Sequence, residues 1–392
     1  MRFRLLACAA ALAVVSAASA CSGTGALTPP PGGAVSPATV RRDAIDAFVS
    51  PHAKRITVKP GQSIQKAVDA ANPGDTIVVQ PGTYHEAGRP CPFKANEKCA
   101  VSITKDNITL VGLSGSSPVV LDNPGGLSIG IGIGKYYECA PSYRIHGNRV
   151  VGFTVNGFTD TGIELTCVTN WEWAYDSVSR DKIYGFYPVW ASHGRLDNSV
   201  ATDATDTGFY VGISDHIRVD HNVGYNNVSG YEFENTTHSL MDHNTAYNNT
   251  GGILEFIIPG DPLEHSFDNV ISDNVVVQNN NANKCTGGVV CTVPPGTGIL
   301  VIGGTNNRTL RNNVTANHAY GIALTDVCTA FTMTAKQCKA LKYNPYPEKT
   351  STIGNTALNN GLDLGWEPQT GKGNCWSGNR AKSFLPAKLP AC

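Results

Sequence analysis

Two tyrosines and two glutamates in the middle of the sequence follow glycines at short, regular intervals. Tyr187, Tyr210 and Glu232 each stand two residues after a glycine, and Glu234 and Asp206 lie close by. Tyrosine rings can lie against sugar rings, and carboxylates can accept hydroxyl hydrogen bonds, coordinate a cation or move a proton. We therefore predict that these five residues form a face that binds or acts on a carbohydrate. The competing interpretation is a solvated sheet face whose tyrosine ladder only stabilises the fold.

A second set of polar residues repeats at similar spacing and defines an alternative site. It consists of Arg195, Asp197, Arg218, Asp220, His221, Asp242 and His243. Stacked carboxylates beside arginines could hold Ca²⁺ and a uronate, with arginine or histidine removing the proton alpha to the carboxylate. The alternatives are an exposed ladder of weak surface ion pairs and, from the histidine pair alone, a copper or zinc site. The metal therefore stays unknown, with Ca²⁺ as one candidate.

The glycines that precede these residues mark an internal repeat. Gly185-Phe-Tyr-Pro, Gly208-Phe-Tyr-Val, Gly230-Tyr-Glu-Phe and Gly252-Ile-Leu-Glu recur every 22 or 23 residues. So short a period predicts a solenoid in which each repeat is one coil. The next glycine in phase, Gly298, follows Gly252 by 46 residues. We interpret that interval as one coil with insertions at 259–265 and 283–295, although two plain coils would also fit.

Alternation within each repeat assigns the faces of the strand. Residues one and three after the glycine are mostly apolar and are expected to point inward. Residues two after the glycine then form an outward column, which reads Glu164, Tyr187, Tyr210, Glu232 and Leu254. Glu255 faces inward if counted from Gly252 and outward if counted from Gly251, so its orientation stays open.

A recurring asparagine closes a second strand in successive coils. The positions are Asn222, Asn244, Asn274 and Asn313, each three residues after an apolar side chain. Such a column predicts a ladder of stacked amides at a corner, bonded to the coils above and below.

Ten cysteines remain after Cys8 and Cys21 are set aside, and they pair naturally as neighbours. The expected disulfides are Cys91–Cys99, Cys139–Cys167, Cys285–Cys291, Cys328–Cys338 and Cys375–Cys392. Metal binding is the alternative, but the sequence contains no Cys-x-x-Cys motif. The pattern indicates an oxidising compartment.

The start of the chain predicts export. Arg2 and Arg4 precede an apolar run over 5–20 that is too short for a membrane span and typical of a secretory signal. Its end, Ala18-Ser-Ala-Cys21, predicts acylation of Cys21, and ordinary cleavage after Ala20 is the alternative. Without the two arginines the formal charge changes from -1 to -3. No basic field exists to hold nucleic acid, and we expect a monomer.

Residues 56–84 carry a second recognisable pattern. A strand leads to Ser63, a plausible N-cap, followed by a short helix with an apolar side, a turn and another strand. This opening, with the coil repeats, resembles the pectate-lyase-like superfamily. The resemblance implies an all-β fold, a right-handed single-stranded parallel β-helix with a short N-terminal capping helix. We expect a signal peptide over 1–20, a tether over 21–55 and the β-helix over 56–392, with a C-terminal cap from about residue 328.

Two further resemblances concern the central coils. Tyr184-Gly-Phe-Tyr-Pro-Val189 is similar to the Tyr-Gly-Phe-Asp-Pro-His segment of mannuronan C5-epimerases, but Tyr187 and Val189 replace its aspartate and histidine. Residues 185–259 resemble exported bacterial β-helix repeat proteins, often lipoproteins, with runs such as Asn249-Thr-Gly-Gly-Ile-Leu254.

These observations favour an exported envelope protein whose partner is a polysaccharide. The simplest activity is a lyase-type reaction on an anionic, uronate-containing glycan. A non-catalytic glycan-binding or scaffold lipoprotein is the alternative, and periplasmic metal delivery is a third hypothesis. Contact with a membrane is expected only through a lipid on Cys21.

Overall fold

Residues 44–45, 47–113, 115 and 117–392 are described by a computed structural model. The predicted signal peptide, Cys21 and most of the predicted tether lie outside the described residues. The described chain winds through three long sheets, and each coil contributes one strand to each sheet in turn. Nearly all pairings are parallel and join a coil to the next; the hairpin Arg89–Cys91 with Lys94–Ile103 is antiparallel.

Sheet A contains Arg55–Val58, Thr76–Val79, Thr109–Gly112, Ile145–His146, Arg149–Val151, Val168–Ala174, Ser192–Asp197, Asp215–Asp220, Leu240–Asp242, Val270–Ser272, Arg308–Leu310, Ser351–Ile353 and Cys375–Ser377. Sheet B contains Gly82–Tyr84, Val119–Asp122, Phe153–Asn156, Ser177–Ser179, Val200–Thr202, Val223–Tyr225, Thr245–Tyr247, Val275–Val277, Asn313–Thr315 and Thr356–Leu358. Sheet C contains Arg89–Cys91, Lys94–Ile103, Ile129–Ile133, Thr161–Thr166, Tyr184–Val189, Thr207–Gly212, Ser229–Glu234, Gly251–Phe256, Thr297–Ile302, Tyr320–Thr325, Leu362–Trp366 and Phe384–Leu385.

The apolar residues of the repeats stack in the interior of the coils, as the alternation predicts. Phe186 pairs with Phe209, and Phe209 with Tyr231, in adjacent coils. Their ring centroids are 5.0 and 4.8 Å apart, and all three side chains are buried. These stacked columns remove large apolar surfaces from water and form the core.

The interval between Gly252 and Gly298 is a single coil. Gly251–Phe256 pairs directly with Thr297–Ile302, with Gly251 opposite Thr297. The extra residues form the two insertions, at 259–265 and 283–295, which leave the coil as loops. Our interpretation of one coil with two insertions is confirmed.

Glu255 points inward, because it pairs with inward-facing Phe233 while Phe256 pairs with Glu234. Its Oε1 accepts hydrogen bonds from Ser266 Oγ at 2.9 Å and Asn269 Nδ2 at 3.0 Å. Burial raises the pKa of Glu255 to about 7. This residue therefore belongs to the interior and not to the outer face.

The asparagine ladder exists, but one of its predicted members is wrong. Asn222, Asn244 and Asn274 are buried, and each amide oxygen accepts from the preceding coil while each amide nitrogen donates to the next. The fourth member is Asn312 and not Asn313, which is exposed. The inward residue three positions earlier is Thr309, since Ile271 pairs with Thr309. The sequence pattern favoured Asn313 because the apolar residue Leu310 stands three positions before it.

A second ladder, which the sequence reasoning missed, runs along another corner. It contains Asn227, Asn249, Asn279, Asn317 and Asn360. Both ladders supply partners for backbone groups that the corners leave outside the sheets.

Short helices lie at the start of the coils and among the later loops. Ser63 caps the helix Ile64–Ala70 by accepting from Lys66 N, and this helix buries its apolar side on the first coil. Further helices are Val327–Ala330 and Ala335–Ala340, with 3-10 turns at Pro141–Tyr143 and Val289–Thr292. Beyond them, strands continue in all three sheets to Phe384–Leu385. Within the described residues no helix is long and apolar enough to cross a membrane.

All five expected disulfide bonds are formed: Cys91–Cys99, Cys139–Cys167, Cys285–Cys291, Cys328–Cys338 and Cys375–Cys392. The first four lie in or beside loops next to sheet C, and the last closes the C-terminal segment. They restrain the loops that surround the outer face of that sheet.

Candidate functional site

The outward column of the sequence analysis lies on the outer face of sheet C. Glu164 pairs with Tyr187, Tyr210 pairs with Glu232, and Glu232 pairs with Leu254. Because successive coils are about 4.8 Å apart, side chains in one column touch. The structure thus brings Tyr187, Tyr210 and Glu232 together.

Three tyrosines form the aromatic part of this face. The rings of Tyr187 and Tyr210 stack, with centroids 4.3 Å apart and planes 13° from parallel. Tyr184, in the same strand as Tyr187, lies 4.5 Å from it and 5.3 Å from Tyr210. The sequence reasoning did not place Tyr184 in the site, although its position directly before Gly185 could have indicated it. The rings form one aromatic surface next to the carboxylates.

Three carboxyl groups lie beside these rings. Tyr210 Oη donates to Glu234 Oε1 at 2.6 Å, and Thr207 Oγ1 donates to Asp206 Oδ1 at 2.9 Å. Burial raises the pKa of Asp206 to about 7 and that of Glu234 to about 8. The pKa of Glu232 is also well above its ordinary value, because the group is buried and faces the charges of Asp206 and Glu234. These carboxyl groups can therefore gain or lose protons near neutral pH.

A lysine that the sequence reasoning missed sits at the other end of the column. Lys94 Nζ lies 2.9 Å from both Asp160 Oδ2 and Glu164 Oε2, and 5.5 Å from the centroid of the Tyr187 ring. Burial raises the pKa of Glu164 to about 8 even though Lys94 lowers it. Lys94 belongs to the hairpin closed by Cys91–Cys99, outside the repeat, so no spacing in the sequence indicates its position.

Loops from the two insertions cover much of this face. Asp261 of the first insertion accepts from Asn235 Nδ2 at 3.2 Å, beside Glu234. Val290 and Val293 of the second insertion pack against Leu254. As a result Glu232 is 1% exposed and Glu234 is 8% exposed. Lys94, at 21% side-chain exposure, and the partly exposed Tyr184 and Tyr187 form the accessible edge.

Comparisons with known proteins identify the architecture. The family model "Right handed beta helix region" matches residues 144–338. The chain has a right-handed parallel β-helix fold. The A-modules of two mannuronan C-5 epimerases from Azotobacter vinelandii are similar in structure. AlgE6 has a TM-score of 0.57 and 19% identity, covering 82% of this chain and 92% of that one. AlgE4 has a TM-score of 0.56 and 16% identity, covering 87% and 96%.

An alginate lyase from Paenibacillus sp. str. FPU-7 is also similar to this β-helix. It has a TM-score of 0.50 and 16% identity, covering 83% of this chain and 99% of the lyase. No curated protein matches the sequence. Since these identities are low, the likenesses establish the fold and do not establish the reaction.

The alternative patch forms a ladder on the outer face of sheet A of the β-helix. Arg195 binds Asp220 through two contacts of 2.9 and 2.7 Å, and Arg218 Nη2 lies 3.0 Å from Asp242 Oδ2. Burial acts to raise the pKa of Asp220, but hydrogen bonds from Arg195 and His221 hold it below its ordinary value. Burial raises the pKa of Asp197 to about 6. The other histidine, His243, binds Asp242 at 2.8 Å and stacks on the first, with centroids 5.1 Å apart.

These contacts leave the aspartates of the ladder paired with cations of the protein. Among residues 44–392, apart from 46, 114 and 116, no group of three or more His, Cys, Asp or Glu side chains is arranged to hold a metal ion. The carboxylate and tyrosine cluster of sheet C is therefore the stronger candidate site.

Proposed function

We propose that the protein binds an extended anionic polysaccharide along the outer face of sheet C and acts on it by a lyase-type reaction. The observation that carries this proposal is the contact between stacked tyrosines and buried carboxyl groups whose pKa values lie near neutral, about 7 for Asp206 and about 8 for Glu234. Proteins of the same fold that are named mannuronan epimerases and an alginate lyase support this class of substrate.

The accessible edge supplies the groups that would hold the polymer. Tyr184 and Tyr187 offer ring faces to a pyranose, and Lys94 offers a positive charge to a uronate carboxylate. Glu164, the partner of Lys94, lies three coils along the column from Glu232, so this lysine would hold a uronate at a binding subsite away from the proton-transferring carboxyl groups.

The carboxyl groups would then move the protons. In a β-elimination, an ionised carboxylate such as Asp206 takes the proton alpha to the substrate carboxylate. The electron pair of that C–H bond forms a double bond as the bond to the leaving sugar oxygen breaks. Because Glu232 is 1% exposed, this step requires the insertion loops to open over the site. Neutral Glu232 then gives its proton to the leaving oxygen, so the products are a shortened chain and an unsaturated uronate. The pKa of Glu232, held well above its ordinary value by burial and the neighbouring charges, fits a proton donor. Asp206, with a pKa of about 7, is ionised in part near neutral pH and fits an acceptor.

A screen of purified protein on uronate polymers, with and without Ca²⁺, tests the proposal through the absorbance of the unsaturated product. In an enzyme, Glu232→Gln abolishes turnover while binding survives. Asp220→Asn is the matched control on sheet A. The proposal fails if Glu232→Gln and Tyr210→Phe leave binding and turnover intact while Asp220→Asn or His221→Ala removes them.

A non-catalytic glycan-binding or scaffold role is the second candidate. It is favoured by Tyr187 and Val189, which stand where the similar epimerase segment has aspartate and histidine. In that case Glu232→Gln weakens glycan binding modestly, and no product appears with any polymer. The metal-delivery hypothesis gains no support from the described residues, which hold no candidate metal cluster.

The location that fits this function is outside the cytoplasm. Five disulfide bonds favour an oxidising compartment. Acylation of Cys21 and anchoring in the envelope remain proposals, which mass spectrometry of the mature N-terminus would test.

A further inference from the structure

An apolar cleft of about 390 Å³ opens on the outer face of sheet C, beyond the carboxyl groups. Its floor is formed by Leu254, Leu300 and Ala323 from consecutive coils. One wall is the second insertion with Val290, and the opposite wall includes Phe331, next to the helix Val327–Ala330. Trp366 is also part of its lining.

The cleft continues the column that carries the candidate site. Glu232 pairs with Leu254, Leu254 with Leu300, and Leu300 with Ala323. The first residue of the floor, Leu254, therefore lies one coil from Glu232, with about 4.8 Å between the two strands. Along this column the outward side chain changes from the carboxyl group of Glu232 to the aliphatic group of Leu254 within a single coil.

The lining selects for a hydrocarbon chain. A sugar needs hydrogen-bonding groups on most sides, whereas the floor of this cleft consists of aliphatic side chains. Burying an apolar chain against them removes both surfaces from water. At roughly 30 Å³ for a group the size of a water molecule or methylene, the cleft has room for about a dozen such groups.

We propose that this cleft binds the acyl chain of an acylated glycan, whose sugar part lies outside the mouth of the cleft, on the side of the carboxyl groups that the insertion loops keep buried. The proposal rests on the proposed function for the identity of the sugar part, and on the cleft alone for the chain. The cleft and the candidate site lie in one column of sheet C, which places the two parts of such a ligand side by side.

The test uses n-alkyl β-glucosides from hexyl to dodecyl, kept below their micelle concentrations, with calorimetry and tryptophan fluorescence as readouts. Each added methylene should increase the affinity about fourfold until the chain fills the cleft. Phenyl β-glucoside should bind much more weakly than the octyl compound, because its ring buries less apolar surface.

Two variants and a control assign the binding to the cleft. Ala323→Trp fills the floor, and Leu300→Gln makes it polar, so each should abolish the dependence on chain length. Ile353→Trp places the same side chain at an exposed position on sheet A and should leave the series unchanged. Thermal melting verifies that each variant is folded.

The outcomes separate this inference from the proposed function. A flat chain-length series in the unmodified protein, or a series that survives both cleft variants, overturns the inference even if uronate polymers bind. If the series behaves as expected but no uronate polymer binds, the proposed function is wrong and the acyl site stands. If the unmodified protein dimerises and Ala323→Trp makes it monomeric, the cleft is a subunit interface and the inference is wrong.

Discussion

The hydroxyl of Tyr210 donates a hydrogen bond of 2.6 Å to Oε1 of Glu234, a residue of the next coil. Glu234 pairs in register with Gly212, two residues after Tyr210. A β-carbon at position 212 would overlap the Tyr210 hydroxyl. Glycine therefore leaves the space across which the tyrosine leans to reach the carboxyl group.

Gly212→Ala should break this hydrogen bond. The methyl group displaces the Tyr210 ring, and the Tyr210 hydroxyl is what lowers the pKa of Glu234 against the effect of burial. The pKa of Glu234 should then rise above about 8. Carbon-13 NMR titration of the glutamate carboxyl carbons measures it.

Tyr210→Phe should reproduce the effect of Gly212→Ala on Glu234. Gly287→Ala is the matched control, because a β-carbon there meets no atom within 4 Å. An unchanged Glu234 titration in both Gly212→Ala and Tyr210→Phe would show that the hydrogen bond does not govern this carboxyl group.

Lys94→Met should weaken the binding of uronate oligosaccharides about tenfold or more, since a charge-assisted contact is lost. It should also raise the pKa of Glu164 further above its ordinary value, because Lys94 Nζ at 2.9 Å favours the ionised form. Calorimetry with charged and neutral oligosaccharides measures the first effect. Lys98→Met, at an exposed position of the same strand, is the control. Equal losses for charged and neutral sugars would argue against a role in carboxylate recognition.

Asn312→Ala should lower the free energy of unfolding by about 1 to 3 kcal/mol, whereas Asn313→Ala should change it by less than about 0.5 kcal/mol. The Asn312 amide donates to Ile271 O at 2.9 Å and to Asn355 Oδ1 at 3.0 Å, and it accepts from Asn274. Asn313 is exposed. Urea denaturation of both variants gives the comparison, and equal losses would contradict the ladder assignment.

Glu255 should make the protein less stable as the pH rises. Its pKa is about 7 in the folded state because of burial, against 4.5 for the ordinary group. Between these values the folded state binds more protons than the unfolded one, so the free energy of unfolding falls from about pH 4.5 to about pH 7 and is then constant. The contribution of this residue is on the order of 3 kcal/mol.

Glu255→Gln keeps an acceptor for Ser266 and removes the ionisation. Urea denaturation at a series of pH values should show a smaller fall in stability for this variant than for the unmodified protein. Parallel curves for the two proteins would mean that Glu255 titrates alike in the folded and unfolded states.

The sequence by itself determined the coil, its core and one face of the candidate site. A period of 22 or 23 residues places glycines in register, and alternation from each glycine assigns inward and outward side chains. Phe209 inside and Tyr210 outside follow from that rule alone. The five disulfides also follow, because nearly all of their partners are close neighbours in the chain.

Only the tertiary structure decided the residues that lie outside the repeat or fit it in two ways. Asn312 and Asn313 both fit the spacing, and Glu255 fits two registers, so the pairing of whole strands was needed to choose. Lys94 and the insertions reach the outer face of sheet C from loops whose positions depend on long-range contacts. Local periodicity fixes which way a strand residue points, but it carries no information on where a loop between strands will pack.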